Sequence, residues 1–114
     1  MSDRRRSKLA TLRARATVFA ALGDETRLTV LARLCGGKAQ SISRLTDGTG
    51  LTRQAVTKHL RVLEDAGVVR SVRSGRESLF ELEPNRLDDA RTYLDQVSRQ
   101  WDDALARLKA HVEG

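Results

Sequence analysis

The sequence contains few of the residues that cross-link, rigidify or stack a fold. Its 114 residues include one cysteine, one proline and one tryptophan, and aromatic residues make up 4%. The single cysteine, Cys35, excludes an intramolecular disulfide and a zinc site built from several cysteines. The core must therefore consist mainly of Leu, Val and Ala. The length fits one domain with a modest core.

Long apolar runs and enzymatic motifs are also missing. No apolar run approaches the roughly 18 residues of a membrane span. A signal peptide has an apolar segment after its charged start, and no such segment follows the N-terminal MSDRRRSK. We find no glycine-rich phosphate loop, no nucleophile with its base and no clustered metal ligands. We therefore expect a cytoplasmic protein that is not an enzyme and needs no cofactor. The last helix mixes acids and bases on its polar side, which disfavours membrane binding.

Basic residues, in contrast, are abundant. Lys and Arg number 21 against 15 Asp and Glu, which gives a net charge of +6. Such an excess favours a polyanionic partner, either nucleic acid or an anionic membrane surface. The alternative is an ordinary solvated surface.

Apolar spacing predicts helices in the first third of the chain. Residues 1–8 are expected to form a flexible basic arm, and a first helix follows over about 9–22. Arg4, Arg5, Arg6 and Lys8 of this arm could follow a nucleic-acid backbone, whereas the alternative is a solvated tail. Asp24 is a good N-cap for a second helix that ends at the glycine pair 36–37. Cys35 lies near the end of this helix and is expected to be buried. The residues expected to face inward are Leu28, Leu31 and Ala32.

The centre of the chain has a helix-turn-helix pattern followed by a hairpin. Ser41 can cap a short helix, and Thr52 can cap a longer one that ends at Gly67, with glycines in the turn between. VVRSVR and ESLFEL then read as two strands, separated by Ser74 and Gly75.

The helix after Thr52 carries its charges in an unfavourable order, with bases first and acids last. Placed at 100° per residue, its apolar positions fall on one side. They are Ala55, Val56, His59, Leu60, Val62, Leu63 and Ala66. The other side begins with types that suit base edges and phosphates. Phosphates near the helix start would offset the dipole penalty, whereas the alternative is a solvated amphipathic helix. Arginines at the hairpin tip could reach phosphates or a minor groove. The predicted DNA-binding residues are Ser41, Thr52, Arg53, Gln54, Thr57, Lys58, Arg61, Arg73 and Arg76.

From about Arg86 the chain is helical for some 26 residues, with apolar residues at near-heptad spacing. The compact domain is too small to cover this stripe, and the first helix has a stripe of its own. Pairing of two copies would bury both, whereas the alternative is a helix folded back within a monomer. The predicted dimerisation residues are Leu12, Ala16, Phe19, Leu94, Val97, Trp101, Leu105 and Leu108.

The segments ALGDETRLTVLARL and ISRLTDGTGLTRQAVTKHLRVLEDAGVVRSVRSGRESLFEL resemble the ArsR family of winged-helix transcriptional repressors, over about residues 20–82. The resemblance implies a homodimer on a roughly palindromic operator, with residues 53–61 as recognition helix. His59 stands where the family commonly has His, and we expect it to be packed or to touch phosphate. A family metal site uses Cys-x-Cys where this chain has Ser41 and Ser43, which bind soft metals poorly. Another metal site of the family lies in the terminal helices and needs a second histidine there, upstream of His111, which this chain lacks. We therefore expect no metal site.

The sequence thus predicts a mostly α protein with a small β-hairpin: a winged helix-turn-helix with long terminal dimerisation helices. Its expected parts are a basic arm (1–8), a DNA-binding domain (9–83) and a dimerisation helix (84–114). The predicted function is a dimeric repressor that binds a double-stranded DNA operator, with control of its own gene as a further expectation and with an unknown inducer. The alternative is a winged-helix module that binds proteins, without specific DNA binding.

Overall fold

A computed structural model describes residues 3–114, which fold into five helices and a three-stranded antiparallel sheet. In chain order the elements are α1 (Asp3–Leu22), α2 (Glu25–Leu34), β1 (Gln40–Ser41), α3 (Ile42–Thr46), α4 (Arg53–Asp65), β2 (Val69–Ser74), β3 (Glu77–Leu82) and α5 (Pro84–Glu113). The predicted fold class, a mostly α winged helix-turn-helix, is confirmed.

The three predicted helix caps are present. Asp24, Ser41 and Thr52 each lie in extended backbone, and each side chain accepts a hydrogen bond from the backbone N–H three residues later, at 2.9, 3.2 and 3.1 Å. Each cap satisfies one of the N–H groups that a helix start leaves without an intrahelical partner. The caps therefore fix where α2, α3 and α4 begin.

Both terminal helices are longer than predicted. Helix α1 begins at Asp3, so the expectation of a flexible arm over residues 1–8 is wrong for residues 3–8, and residues 1–2 lie outside the described part. Arg, Lys, Ala and Leu are good helix formers, and no Gly or Pro interrupts the chain before Gly23. Helix α5 begins at Pro84, a residue whose fixed φ suits the first helical turn, and spans 30 residues.

The sheet contains the predicted hairpin and one strand that the sequence did not reveal. Strands β2 and β3 pair from Val69 with Leu82 to Ser74 with Glu77. Gly75, with a φ of +61°, takes the first place of the two-residue turn, where a type II′ turn needs positive φ. Strand β1 adds to the other edge of β3, with Gln40 opposite Phe80. This strand joins the wing to the start of α3.

One apolar core lies between α1, α2, α3, α4, the hairpin and the first part of α5. Val, Leu and Ala supply nearly all of it, as the scarcity of aromatic residues predicts. The buried residues are Val18, Ala21, Val30, Leu31, Leu34, Leu45, Val56, Leu60, Leu63, Ala66, Val68, Val69, Phe80 and Ala90.

Several residues predicted to be buried are exposed. Leu28 and Ala32 each lie about 200° around α2 from Val30, which together with Leu34 marks the buried face. The predicted inward stripe of α2 is therefore rotated from the observed one, and only Leu31 belongs to both. Val62 of α4 lies about 100° from the buried Leu63 and is 40% exposed.

Cys35 is also exposed, which corrects its predicted burial. It follows the last residue of α2 as the C-cap, outside the packed turns of the helix. Its thiol donates to the carbonyl oxygen of Leu31 at 3.4 Å.

Helices α1 and α5 pack in parallel. Arg15 forms an ion pair with Asp89, with Nε 3.1 Å from Oδ2, and its guanidinium lies 4.9 Å from the centre of the Tyr93 ring. One turn further along both helices, the rings of Phe19 and Tyr93 are 6.1 Å apart. The carboxylate of Asp89 raises the pKa of Arg15, mainly through the hydrogen bond between them. The C-terminal part of α5, from residue 98 onward, is exposed along its whole length.

Candidate nucleic-acid interface

Helix α4 has one face in the core and one face in solvent. Val56, Leu60 and Leu63 are fully buried. The opposite face starts at the N-terminal end of the helix and forms an open depression on the surface. It is lined by Arg53, Gln54, Thr57, Lys58 and Arg61, all exposed except Thr57, which is half-buried. The structure thus brings five of the nine predicted DNA-binding residues onto one surface, here called the α4 face.

The cations of the α4 face are free of acidic partners. Among residues 3–114, no ion pair involves Arg53, Lys58 or Arg61. The Arg53 guanidinium instead donates a hydrogen bond to the hydroxyl of Ser43. The hydroxyl of Thr57 donates to the carbonyl oxygen of Arg53 at 2.7 Å, which leaves the methyl group and the acceptor lone pairs of the oxygen for an external contact. This face therefore offers positive charge and several donors to an anion.

The acids at the other end of α4 do not neutralise this charge. The Glu64 carboxylate accepts a hydrogen bond from the hydroxyl of Ser71 on β2 at 2.5 Å, and Asp65 is exposed. The acids of α4 therefore lie at the end next to the wing, and its bases are exposed to solvent at the other end.

A second depression joins α3, α4 and the wing. Its residues include Ser41 and Arg53, which the sequence predicted, and Ser43 and Ser78, which it did not. Glu77 adds a carboxylate, which would repel phosphate. Ser43 lies two residues after the cap residue Ser41, on an exposed side of α3. Helical spacing alone could therefore have predicted that Ser43 belongs to this surface. Ser78 could not, because only the strand register brings it near α4.

The turn between α3 and α4 is held by backbone conformation and by Arg33 of α2. Gly48 and Gly50 have φ values of +75° and +72°, which other residues rarely adopt. The Arg33 guanidinium donates to the carbonyl oxygen of Leu45 at 3.3 Å and to that of Asp47. A cation at these C-terminal carbonyls satisfies groups that α3 leaves without partners. These contacts join the C-terminal end of α3 to α2.

The wing presents two arginines at its tip and an ion-pair network at its base. Arg73 and Arg76 are exposed, and neither forms an ion pair within the described residues. At the base, Arg70 donates to Glu81 at 2.7 Å and to Glu83 at 2.9 Å. The hydrogen bond to Glu81, more than that to Glu83, raises the pKa of Arg70. Arg70 therefore stabilises the hairpin, while the tip arginines stay available.

His59 lies at the edge of α4 facing the start of α2. Its Nδ1 is 3.8 Å from Oδ2 of Asp24, and the imidazole is partly covered. The backbone N–H of Arg27, followed by the nearby charges of Arg27 and His59, lowers the pKa of Asp24. The structure thus places His59 in a packed position against the cap of α2, as one of its two predicted roles requires.

Comparison with known proteins gives a consistent picture. A family model described as a helix-turn-helix domain matches residues 22–72. The transcriptional regulator Rv2034 of Mycobacterium tuberculosis is 33% identical over 85% of this chain and 87% of its own length. The transcriptional repressor SmtB of the same organism is 33% identical over 75% of this chain and 61% of its own. The structure of an ArsR-like transcriptional regulator from Rhodococcus sp. RHA1 is 39% identical, with a TM-score of 0.76 over 88% of this chain and 93% of that chain.

The chain belongs to the ArsR family of winged helix-turn-helix transcriptional regulators. It is therefore a DNA-binding regulator, a class of protein without enzymatic activity. The match includes α2, α3, α4 and most of β2, the elements that carry and hold the α4 face.

The described part of this ArsR-family chain has neither a membrane span nor a metal cluster. No helix in residues 3–114 is long and apolar enough to cross a bilayer. In the same range, no three His, Cys, Asp or Glu side chains lie together as metal ligands would. Ser41 and Ser43 serve instead as a helix cap and a hydrogen-bond partner of Arg53.

The predicted dimerisation residues form a largely uncovered apolar surface. Trp101 is 65% exposed, and Val97 is half-buried beside it. Phe19 is partly covered by the core and by Tyr93. The other members of this surface are exposed: Leu12, Ala16, Leu94, Leu105 and Leu108.

Proposed function

We propose that the protein is a homodimeric repressor that inserts α4 into the major groove of a two-fold symmetric operator. The observation that carries the proposal is the α4 face itself. It has three cations without acidic partners among the described residues, and it lies on a helix whose opposite side is held in the core. A cationic, donor-rich helix start is what the major groove of DNA accepts in helix-turn-helix proteins.

Each residue of the α4 face has a role that its chemistry suits. Arg53 and Lys58 can donate to guanine O6 and N7, and Gln54 can pair with adenine N6 and N7. The Thr57 methyl group can touch the methyl group of thymine, and the hydroxyl proton is already donated within the helix. The remaining predicted residues, Ser41, Thr52 and Arg61, would contact the phosphate backbone.

The wing would bind outside the major groove. Arg73 lies near the end of β2 and Arg76 lies in the turn itself, at the end of a two-stranded ribbon. Arginine in such a position suits phosphates or a narrow, negatively charged minor groove. The network of Arg70 at the base would hold the ribbon while its tip contacts DNA.

Two copies would pair through α1 and α5. An α-helix of 30 residues is about 45 Å long, and the rest of one chain covers only its first half. A second copy would bury the apolar surface that includes Trp101, Leu105 and Leu108. C2 symmetry would then present two α4 faces to half-sites about one DNA turn apart. The parts of the chain would be a DNA-binding domain over 9–83 and a dimerisation helix over 84–114.

Repression is proposed because the relative SmtB is named a repressor. A dimer bound across a promoter would block polymerase by occupying the DNA. Control of its own gene is the simplest arrangement, since the operator would then lie directly upstream.

The test is binding to a duplex from the promoter of its own gene, measured by fluorescence anisotropy at several salt concentrations. We expect tighter binding to this duplex than to a scrambled one. We also expect affinity to fall about a thousandfold or more between about 50 and 200 mM salt, as several phosphate contacts require. The double variant Arg53→Gln/Lys58→Gln should lose the preference for the promoter. Weak binding that ignores sequence in the wild-type protein would favour the protein-interaction module.

A further inference from the structure

The N-terminal half of α1 carries a concentration of positive charge that the α4 face and the wing do not explain. Residues 3–13, here called the basic end of α1, contain five basic side chains and one acidic side chain, for a net charge of +4. Every residue in this range is exposed. Two thirds of the net charge of the chain therefore lies in one short stretch of helix. Its basic residues are Arg4, Arg5, Arg6, Lys8 and Arg13.

The basic end of α1 extends beyond the start of α5, the helix on which the rest of α1 packs. The contacts of Arg15 with Asp89 and of Phe19 with Tyr93 advance by four residues in both helices, so the two helices run in the same direction. Four residues before Arg15, α1 is already beside the first turn of α5. Residues 3–9 therefore project about 10 Å past the start of α5.

Nothing in the described part of the chain balances this charge. The ion pairs within residues 3–114 do not include these five side chains. Among the described residues of α1, the one cation in such a pair is Arg15. Cations in the first turn oppose the helix dipole, and Arg4 and Lys8 are like charges one turn apart. As in α4, the arrangement is locally unfavourable and would be offset by an anionic partner.

Two observations favour DNA over a second copy as that partner. The acidic residues of α5 are interspersed with basic ones, and its 30 residues have a net charge of only −1, from six acids and five bases. One of those acids, Asp89, is already paired with Arg15. Three consecutive arginines also spread over about 200° of the helix, so one flat protein surface could not cover them all. A polyanion with charge along its whole length can reach several of them.

We propose that the basic end of α1 is a second DNA-contacting element, which binds backbone phosphates in addition to those contacted by α4 and the wing. The proposal rests on the proposed function, because it requires a DNA-bound dimer. In that dimer the two basic ends would add affinity without adding sequence preference, since phosphates carry no base information.

The test compares two variants with the same loss of charge. In the first, Arg4, Arg5, Arg6 and Lys8 are changed to Gln, which is also a good helix former. In the control, four exposed basic residues of α5 are changed to Gln: Arg91, Arg99, Arg107 and Lys109. The probe is a mixed-sequence duplex of about 40 base pairs, long enough for two half-sites and their flanks. Because non-specific binding depends on phosphate contacts, no operator needs to be known.

Affinity is measured by fluorescence anisotropy against salt concentration. If each basic end binds at least one phosphate, the plot of log affinity against log salt for the first variant becomes shallower by about 1.8 or more for a dimer. The control keeps the wild-type slope. Equal slopes for the wild-type protein and the first variant would overturn the proposal.

Sedimentation of the same samples separates the remaining outcomes. A first variant that dissociates into monomers while its slope is unchanged would place the basic end against a second copy and overturn the proposal. A wild-type protein that binds no duplex in a salt-dependent manner would overturn the proposed function as well. Circular dichroism of the first variant, expected to match that of the wild-type protein, shows that α1 is still helical.

Discussion

The Glu64 carboxylate at the end of α4 accepts a hydrogen bond from the hydroxyl of Ser71 in the wing. This contact gives one of the two acids at the end of α4 a partner within the fold. The acid joins α4 to β2, while Arg53 and Lys58 at the other end have no acidic partner among the described residues. The charged residues of α4 therefore lie in different surroundings, with Glu64 against the wing and the basic residues in solvent.

The first prediction concerns base recognition by α4. Gln54→Ala and Lys58→Ala should each weaken operator binding by about 1–3 kcal/mol and relax the preference at one base pair, because the truncated side chain can no longer donate to a base edge. A binding selection from a library of operator variants measures both effects. Equal weakening on every sequence would mean that these side chains touch only phosphate.

The second prediction concerns the wing. Arg73→Ala and Arg76→Ala should weaken binding to all duplexes alike, since the proposed contacts are with the backbone. For each variant dimer the salt dependence should become shallower by about 2, or about 1 for each phosphate that is no longer bound. The same library selection serves as control, and a changed base preference would contradict a role confined to the backbone.

The third prediction concerns the dimer. Trp101→Ala should raise the dimer dissociation constant by about 30-fold or more, because a large exposed aromatic is a typical interface anchor worth about 2 kcal/mol or more. Arg99→Ala, about 160° around α5 from Trp101, is the matched control and should leave the constant unchanged. Sedimentation over a range of protein concentrations measures it. A Trp101→Ala protein that stays dimeric at the lowest concentration would refute the α5 interface.

The fourth prediction concerns pH and the cap of α2. The pKa of Asp24 is lowered in the folded state, so the ionised carboxylate stabilises the fold at pH values above its unfolded pKa of about 3.9. This stability is lost as pH falls through the lower folded pKa. Urea unfolding from pH 3 to 7 should therefore show a decrease in stability below about pH 4 that Asp24→Asn reduces. An identical pH profile for both proteins would show that the cap contributes nothing through its charge.

The fifth prediction concerns Gly67, which follows α4. A methyl group here would lie 2.6 Å from Nε of Arg86, and the φ of +79° is unfavourable for any residue with a side chain. Gly67→Ala should lower the free energy of unfolding by about 1–2 kcal/mol from backbone conformation alone, with the clash in addition. In an Arg86→Ala background only the backbone part should remain. An equal loss in both backgrounds would mean that Arg86 moves aside freely.

The sequence predicts best what short-range chemistry decides. The caps Asp24, Ser41 and Thr52 are residue types that satisfy helix N–H groups, and each marks the true start of its helix. The hairpin follows from two β-rich segments around Gly75. The α4 face follows from the helical period, because its buried side is strongly apolar.

The errors arise where tertiary packing decides. The period of α2 fits a stripe through Leu28, but the covering elements lie on the side of Val30. Strand β1 has only two residues and exists because it pairs with β3. The charge of the arginines before Lys8 suggests a flexible arm, although the helix propensity of this segment is high and the structure makes it helical.

The proposed function requires that α4 reads bases in the major groove of two symmetric half-sites. Dimethyl sulfate methylates guanine at N7, which faces the major groove, so protection of guanines in the promoter of its own gene tests this requirement most directly. We expect two protected clusters about one helical turn apart, both absent with the Arg53→Gln/Lys58→Gln variant. Binding that leaves every guanine N7 open to methylation would contradict base reading by α4.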